Sequence, residues 1–321
     1  VLGNGMVVNP VNLVREMQHI QDLGVTITPE RLLLSTRAHL ITPAHIALDA
    51  ASEKARGAGA IGTTLRGIGP AYLDKTGRRG LRAGVMINDE DTADAVAAHV
   101  SAANAQLEPS AQINAHEAAV ASVEAAHFLK PYLRDTTAYF HAQLKAGDRV
   151  LCEGAQGTML DLDHGDYPYV TSSSPTIGGV MTGLGFGAKH IDRVVGVAKA
   201  YSTRVGSGPM PTELEGAVAE RLRGSGANFW DEFGTTTRRP RRCGWLDTVI
   251  VRYAAAINGF TELVLTKLDI LSGFDQLQVA THYEINGERC DFLPGTTREY
   301  LQARPVYETF DGWKEDLSGV R

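Results

Sequence analysis

Short β-branched runs alternate with helical segments in the second half of the chain, and this alternation constrains the fold more than any other feature. The runs cover residues 149–152, 194–199 and 263–266, and each is followed by a glycine-rich or polar loop. Buried strands that alternate with helices are typical of a parallel α/β sheet, in which functional loops follow the carboxyl ends of the strands. The sequence therefore predicts an α/β fold whose binding loops follow these strands.

Helical patterns dominate the first half of the chain. Apolar residues at helical spacing predict a helix over residues 10–23, ended by Gly24. Thr42-Pro43 predicts the start of a second helix, which runs to about residue 56.

The rest of the chain adds a loop, a helical region and a hairpin. Residues 57–80 hold seven glycines and predict a loop. Alanine-rich residues 91–143 predict helices broken near two prolines, so we expect a helical subregion at about residues 90–146, inserted in a single domain of residues 1–321. Ile285-Asn286-Gly287 predicts a small β-hairpin with a type I′ turn.

Composition disfavours several classes of protein. The chain has 31 Lys and Arg against 37 Asp and Glu, so its net charge of −6 disfavours a general nucleic-acid surface. Its apolar runs are too short to cross a bilayer. Three widely spaced cysteines suggest neither a disulfide framework nor a metal-binding pair. We expect a cytoplasmic protein with no membrane or nucleic-acid partner.

The strongest candidate for a binding loop runs from Thr235 to Trp245. Its first eight residues carry three threonines, four arginines and a proline. Guanidinium groups pair bidentately with carboxylates and phosphates, and threonine hydroxyls can complete such a site. From these residues alone, a solvated basic loop and a nucleic-acid patch remain the alternatives.

Two further segments are candidates for binding anions or bases. Residues 61–70 are rich in glycine and threonine and are followed by Arg78-Arg79, so loop amides and guanidiniums could hold an anion; a flexible surface loop is an equal alternative. Gln156 lies in a loop after a predicted strand and offers both a donor and an acceptor. Residues 171–174 add a cluster of hydroxyls, either around a phosphate or in a polar loop.

Residues 161–166 contain three aspartates, but their spacing does not match a calcium loop, so we expect a turn held by aspartate side chains.

Lys267 and Asp269 follow the predicted strand at residues 263–265. A carboxylate there can accept hydrogen bonds from N1–H and the 2-amino group of guanine, a donor pair that adenine lacks, while the lysine stem covers the base. This short motif is common by chance. The chain has no Gly-Lys pair of a Walker A loop, and no zinc-protease, hydrolase or dinucleotide motif.

Together and in this order, these segments resemble the adenylosuccinate synthetase family. The matching segments span nearly the whole chain; they are residues 3–8, 54–57, 62–72, 78–82, 153–158, 163–173, 199–206, 211–214, 235–242 and 266–269. The resemblance implies a P-loop-like, mostly parallel central sheet flanked by helices. It also implies GTP-dependent ligation of L-aspartate to IMP through 6-phosphoryl-IMP, in AMP biosynthesis, with Mg²⁺ as cofactor.

The resemblance also implies roles for individual residues. For IMP the matching residues are Thr64, Arg78, Gln156, Thr171 and Arg239, with Arg78 reaching the neighbouring subunit of a homodimer. For aspartate they are Thr235, Thr236, Thr237, Arg239 and Arg241. For GTP they are Arg241, Lys267, Leu268 and Asp269.

Several departures from the family pattern bear on activity. The family's catalytic Asp and His and its Mg²⁺ ligands lie in an N-terminal segment with no match here, and its C-terminal segment has none either. We therefore expect a domain truncated at both ends, with no catalytic residue or metal ligand in this chain and no activity of its own. Leu65 and Arg238 replace family glycines, which predicts backbone with positive φ or close approach at both positions, and Ser174 replaces an asparagine. The alternative is a non-catalytic nucleotide-binding or interaction protein derived from the same family.

Overall fold

A computed structural model describes residues 1–235 and 237–317, apart from the side chain of Ala58. The described residues form two compact units. The first takes residues 1–155 and 171–190, and the second takes residues 156–170 and the described residues from 191 onward. Each unit contains helices and parallel strand pairs, so the predicted α/β class is confirmed. The single domain stays a prediction.

The first unit is mostly helical. Its α-helices are α1 (Pro10–Asp22), α2 (Pro43–Arg56), α3 (Ile68–Thr76), α4 (Asp89–Asn104), α5 (Ala115–Leu129), α6 (Thr136–Ala146) and α7 (Ile177–Leu184). Its strands are β1 (Val7–Val8), β2 (Leu34–Ser35), β3 (His39–Leu40) and β4 (Leu133–Arg134). Strand β1 pairs in parallel with β3, and β2 pairs in parallel with β4.

Local sequence signals determine where the first helices begin. The Asn9 side chain accepts a hydrogen bond from the backbone N of Asn12 at 3.0 Å and caps α1, which has proline in its first turn. The backbone N of Thr42 donates to Nδ1 of His45 at 3.0 Å at the start of α2. Both helices lie where the sequence predicts them.

Two sequence predictions in this unit are wrong. Residues 57–80 include α3, which begins after Gly67 with φ +75° and ends at Gly77, so several of the glycines there bound a helix. Residues 149–152 form no strand, and Leu151 is 95% exposed. A β-branched run becomes a strand only where a neighbouring strand accepts its hydrogen bonds, and no described ladder includes these residues.

Apolar side chains hold the first unit together in two clusters. Met17 of α1 is 1% exposed and lies in a cluster with Leu34, Leu40 and Leu129. The second cluster joins α4 to α5 through small residues, which allow the two helices to approach closely. These helices fall in the part of the chain predicted to be helical. None of the described helices of either unit is long and apolar enough to cross a membrane.

The second unit contains more strands than helices. Its α-helices are α8 (Gly216–Arg223), α9 (Thr248–Asn258) and α10 (Thr297–Tyr300). Its strands are β5 (Val195–Lys199), β6 (Ser202–Arg204), β7 (Arg242–Gly244), β8 (Leu246–Asp247), β9 (Glu262–Thr266), β10 (Gln276–Ile285), β11 (Glu288–Cys290) and β12 (Arg304–Asp311).

These strands form three sheets. The predicted strands β5 and β9 pair in parallel, from Val195 with Glu262 to Lys199 with Thr266. Strand β6 pairs antiparallel with β7. Strand β10 is flanked antiparallel by β11 and β12 and pairs in parallel with β8. The predicted hairpin joins β10 to β11, and its turn residues Asn286 and Gly287 have φ of +54° and +84°, as a type I′ turn requires.

Candidate functional site

The loop with the threonines and arginines is a closed turn in the second unit. The backbone N of Gly234 donates to the carbonyl of Arg239 at 2.8 Å, and the N of Arg238 donates to the carbonyl of Gly234 at 2.7 Å. Arg238 has φ of +54°, so the prediction of left-handed backbone at this position is confirmed. Arg242 then begins β7, which fixes the end of the loop to the sheet.

Predicted aspartate-binding residues lie together in this loop. The Thr237 hydroxyl accepts hydrogen bonds from the backbone N of Arg239 at 3.4 Å and from its Nε at 3.3 Å. The hydroxyl therefore orients the guanidinium. Thr235 is exposed, and Thr236 lies outside the described residues.

Glu232 lies at the centre of the strongest charge cluster in the second unit. Its side chain is 4% exposed, and its Oε2 is 2.6 Å from Nζ of Lys199 and 3.5 Å from Nε of Arg241. Its Oε1 accepts a hydrogen bond from the Tyr201 hydroxyl at 3.0 Å and lies 3.8 Å from Nζ of Lys267. One carboxylate thus faces three cations and one hydroxyl, an arrangement we call the Glu232 cluster.

Burial shifts the pKa values of two groups that contact Glu232, Lys199 and Tyr201. Desolvation lowers the pKa of Lys199, although the hydrogen bond and the charge of Glu232 act in the opposite direction. Desolvation also raises the pKa of the Tyr201 phenol, and the charge of Glu232 raises it further. The hydroxyl therefore remains a hydrogen-bond donor across the physiological range.

The predicted guanine-reading segment follows β9, as the sequence indicates. Lys267 has φ of +65° and donates from Nζ to the carbonyl of Trp230. Leu268 and Asp269 are exposed, and Asp269 begins a short 3₁₀ turn that ends at Leu271. Among the described residues, none donates a hydrogen bond to the Asp269 carboxylate.

Sequence reasoning missed Glu232 because three of its four partners, Lys199, Tyr201 and Lys267, are 31 to 35 residues away in the chain. The available signal was the acidic pair Asp231-Glu232, which lies six residues before Arg238, the first arginine of the loop. Gln156 is exposed with φ of +65°, and no hydrogen bond within the described second unit joins it to the loop.

A second buried ion pair lies near the predicted aspartate turn. The Asp161 side chain accepts hydrogen bonds from the backbone N of Asp163 at 3.0 Å and of His164 at 3.1 Å, as predicted for the turn. Asp166 lies 2.8 Å from Nη1 of Arg204. Burial raises the pKa of Asp166 to about 6 against the opposing effect of Arg204.

The glycine-rich loop of the first unit binds carboxylates of its own unit. Glu53 on α2 accepts hydrogen bonds from the backbone N of Gly62 at 2.8 Å and of Thr63 at 3.2 Å. Asp49 accepts one from the backbone N of Gly67 at 3.0 Å. The amides of residues 62 and 63 thus donate to a carboxylate of the same unit, which does not fit a flexible surface loop, and the prediction that this segment holds a ligand anion stays a prediction.

The two residues that follow those amides, Thr64 and Leu65, remain available to a ligand. Thr64 is exposed, and Leu65 has φ of +54°, which confirms the prediction of left-handed backbone there. Thr171 lies 3.1 Å from the hydroxyl of Ser173, so part of the predicted hydroxyl cluster is in contact.

Arg78 lies in a tight turn that Asp74 holds. Oδ1 of Asp74 accepts hydrogen bonds from Nε and Nη2 of Arg79 at 3.2 and 3.0 Å. Oδ2 of Asp74 lies 3.1 Å from Nε2 of His45 and 2.8 Å from Nε2 of His99. Arg78 itself is exposed with φ of +60°. We call these residues the Asp74 cluster.

The Asp74 cluster has the residue composition of a metal site, but the protonation state of His45 does not suit a metal ion. His45, Asp74 and His99 are close enough to share an ion. Nδ1 of His45 accepts the backbone N–H of Thr42, so the ring proton is on Nε2, the atom that faces Asp74. Burial lowers the pKa of His45 to about 4, which keeps the ring neutral. Mg²⁺ also prefers oxygen ligands, so this group does not fit it.

The α/β fold carries a cation-rich loop and, at the end of a strand, a Lys-Leu-Asp segment. These two features suit a protein whose ligands carry both negative charge and a base. The family model of adenylosuccinate synthetase matches residues 1–321. Adenylosuccinate synthetase of Myxococcus xanthus is 46% identical over 329 residues, covering 100% of this chain and 74% of that protein. That of Moorella thermoacetica is 47% identical over 324 residues with the same coverage. The chain belongs to the adenylosuccinate synthetase family.

Solved structures agree. A fully ligated adenylosuccinate synthetase from Plasmodium falciparum superposes with a TM-score of 0.92 at 38% identity, over 99% of this chain and 74% of that one. The succinoaminodeoxyadenylate synthetase of cyanophage S-2L, bound to dGMP and dATP, has a TM-score of 0.56 at 22% identity, over 84% of this chain and 65% of that one. The second likeness extends to the fold alone.

Proposed function

We propose that this chain is part of an enzyme that ligates L-aspartate to IMP with GTP as phosphoryl donor. The γ-phosphoryl group of GTP moves to O6 of IMP and leaves GDP. The aspartate amine then attacks C6, displaces inorganic phosphate and forms the new C–N bond. Membership of the family supports this reaction.

The observation that carries the proposal is the Glu232 cluster. It joins Arg241, from the predicted aspartate-binding loop, to Lys267, from the predicted guanine-binding segment. Three cations face one carboxylate, so the cluster keeps an excess of positive charge that favours anionic ligands. A solvated basic loop that binds no ligand would not require a buried carboxylate to hold its cations in place.

The aspartate substrate carries two carboxylates, which suit forked guanidiniums. We assign Arg239 and Arg241 to these carboxylates, with the hydroxyl of Thr237 fixing the Arg239 side chain. The roles of Thr235 and Thr236 toward aspartate, and of Thr64, Gln156, Thr171 and Arg239 toward IMP, stay predictions.

The guanine base is assigned to the segment after β9. The exposed carboxylate of Asp269 accepts N1–H and the 2-amino group, and the stem of Lys267 covers the ring. Leu268 between them is exposed and adds apolar contact.

We assign binding and positioning to the described residues, and neither proton transfer nor metal ligation. The one described group with metal-ligand composition does not fit Mg²⁺, and the family's catalytic Asp and His have no match in this chain. We therefore expect the chain by itself to bind nucleotide without turnover.

Calorimetric titration of GDP and of ADP into the chain tests this function. We expect GDP to bind at least about tenfold more tightly than ADP, because Asp269 pairs with donors that adenine lacks. Asp269→Asn replaces one acceptor with a donor and should remove the preference. Asp275→Asn, at an exposed aspartate paired with Lys314, is the matched control and should keep it. Equal binding of GDP and ADP by the unchanged chain would contradict the proposal.

A nucleic-acid patch is less consistent with the structure. Arg241 lies against Glu232, and Arg242 donates from Nε to Glu213 at 2.7 Å, so two of the four guanidiniums in the run contact acidic side chains. A patch that binds phosphate backbones needs its cations exposed.

The alternative of a non-catalytic protein derived from the same family predicts the same nucleotide binding but no activity in the complete gene product. An activity assay of that product distinguishes this alternative from the proposed enzyme.

We further propose a cytoplasmic homodimer in which Arg78 contacts the neighbouring subunit. The exposed guanidinium and the rigid turn that carries it support this assignment. Sedimentation of Arg78→Ala against the unchanged chain, with and without IMP, tests it. We expect the dimer to weaken in the variant, and no change in either condition would contradict the role.

A further inference from the structure

Residues 230–234 contact both of the segments assigned to ligands. The carbonyl of Trp230 accepts Nζ of Lys267, and the carbonyl of Phe233 accepts Nε of Arg241 at 3.3 Å. The carbonyl of Glu232 accepts the backbone N of Arg241 at 2.9 Å. This short stretch therefore fixes the aspartate loop on one side and the guanine segment on the other.

The Glu232 side chain adds charge to these backbone contacts. It is the carboxylate that Arg241 and Lys267 share, and it is almost fully buried. A buried carboxylate is stable only while its cations stay close, and half-buried cations need it in turn. Loss of its charge would leave Lys199, Arg241 and Lys267 to repel one another.

The geometry also limits what Glu232 does. Its oxygens are occupied by Lys199 and Tyr201, the two closest donors at 2.6 and 3.0 Å. Lys199 is in turn fixed by the hydroxyl of Thr203 at 2.9 Å. Such a carboxylate acts on ligands through the cations it holds.

We propose that Glu232 is a positioning residue that holds Arg241 and Lys267 with a single carboxylate and so makes guanine recognition depend on the aspartate-binding loop. This inference rests on the proposed function. Lys267 has left-handed backbone, which limits where its side chain can reach, and Glu232 with the Trp230 carbonyl holds its ammonium. Without the carboxylate, the lysine stem is no longer fixed over the base.

Titration of GDP and ADP into Glu232→Gln tests the inference. We expect GDP affinity to fall about tenfold or more, the usual range for one charged hydrogen bond, with little change for ADP, so that selectivity collapses. A merely structural role would lower the melting temperature and leave the GDP-to-ADP ratio of the folded protein unchanged. The matched control is Glu213→Gln, which removes the carboxylate paired with the neighbouring Arg242 and should keep both affinity and selectivity.

A second variant covers the case in which Glu232→Gln does not fold. Glu232→Gln combined with Lys199→Met removes one charge of each sign and leaves the net charge of the cluster unchanged. We expect this double variant to fold and still to bind GDP weakly and without preference over ADP.

The possible results of these titrations distinguish a failure of the positioning role of Glu232 from a failure of the proposed function. Selective GDP binding by the unchanged chain and by both Glu232 variants would overturn the positioning role and leave the proposed function intact. Absence of selective GDP binding by the unchanged chain would overturn both. Loss of selectivity in the folded double variant, with retention in Glu213→Gln, would support the role.

Discussion

Two carboxylates, one in each unit, have different surroundings. Asp74 is partly buried and accepts hydrogen bonds from two imidazoles and one guanidinium. Glu232 is buried and faces two ammonium groups, one guanidinium and a phenol. Burial lowers the pKa of His45 to about 4, so this donor to Asp74 is neutral at pH 7.

The comparison of these two carboxylates indicates how the balance of charge around a carboxylate distinguishes a structural role from a proposed binding role. In the Asp74 cluster, one guanidinium faces one carboxylate, and the cluster holds a turn. In the Glu232 cluster, three cations against one anion leave an excess that an anionic ligand can balance. A carboxylate thus holds a turn in one unit, and in the other it holds cations that we propose bind ligands.

The largest expected effect is the loss of the structural carboxylate. Asp74→Ala should lower the free energy of unfolding by about 3 to 5 kcal/mol, because three donors lose a buried acceptor. Urea denaturation followed by circular dichroism measures it. Asp135→Asn is the control, since Asp135 pairs with Arg37 at 3.5 Å near the surface and asparagine keeps the helix cap; a change within about 1 kcal/mol is expected. Equal losses in both variants would remove the distinction.

A third carboxylate tests whether the number of donors sets the pKa. Burial alone would raise the pKa of Asp74, but hydrogen bonds from His99 and His45 lower it. Burial raises the pKa of Asp166 to about 6, although the ion pair with Arg204 and the charge of Arg242 act in the opposite direction. The folded state therefore binds this proton more tightly than the unfolded state does, and its stabilising contribution is complete below about pH 4 and lost as pH rises through about 6.

Compared with Asp166→Asn, the unchanged chain should lose up to about 3 kcal/mol of stability between pH 4 and pH 7. Urea denaturation of both proteins across this range measures the difference. A difference that is flat with pH, or that grows as the pH falls, would contradict the raised pKa and the explanation by donor number.

The smallest expected effect concerns backbone strain, which both units share. Leu65→Gly and Arg238→Gly should each raise the free energy of unfolding by about 0.5 to 1 kcal/mol, because both residues have φ of +54°. Asn286→Gly is the control at the same φ, and should change stability less because asparagine tolerates this conformation. Thermal melts of the three variants suffice. Destabilisation by either glycine would show that the side chains pack well enough to outweigh the strain.

Sequence alone predicts those parts of the fold that local chemistry controls. Proline, glycine and capping residues determine α1 and α2, and Asn286-Gly287 determines the hairpin. The position of the segment that we propose binds guanine was also predictable, because it directly follows strand β9. Positive φ at Leu65 and Arg238 followed from the replacement of family glycines.

Contacts between distant residues were not predictable. Glu232 meets Lys199 and Lys267 only when β5, β9 and the loop come together. The same holds for Glu53 and Asp49, which accept hydrogen bonds from backbone amides of the glycine-rich loop. The run at residues 149–152 had the composition of a strand but no partner. Local patterns contain no information about such partners.

The carboxylate of Glu53 behaves toward the glycine-rich loop as a tethered competitor. It is attached nine residues before Gly62, so its effective concentration at those amides is on the order of millimolar or higher. A free anion must therefore compete with a carboxylate at that concentration for the same amides. While Glu53 stays bound, a ligand that engages Thr64 gains its affinity from side chains.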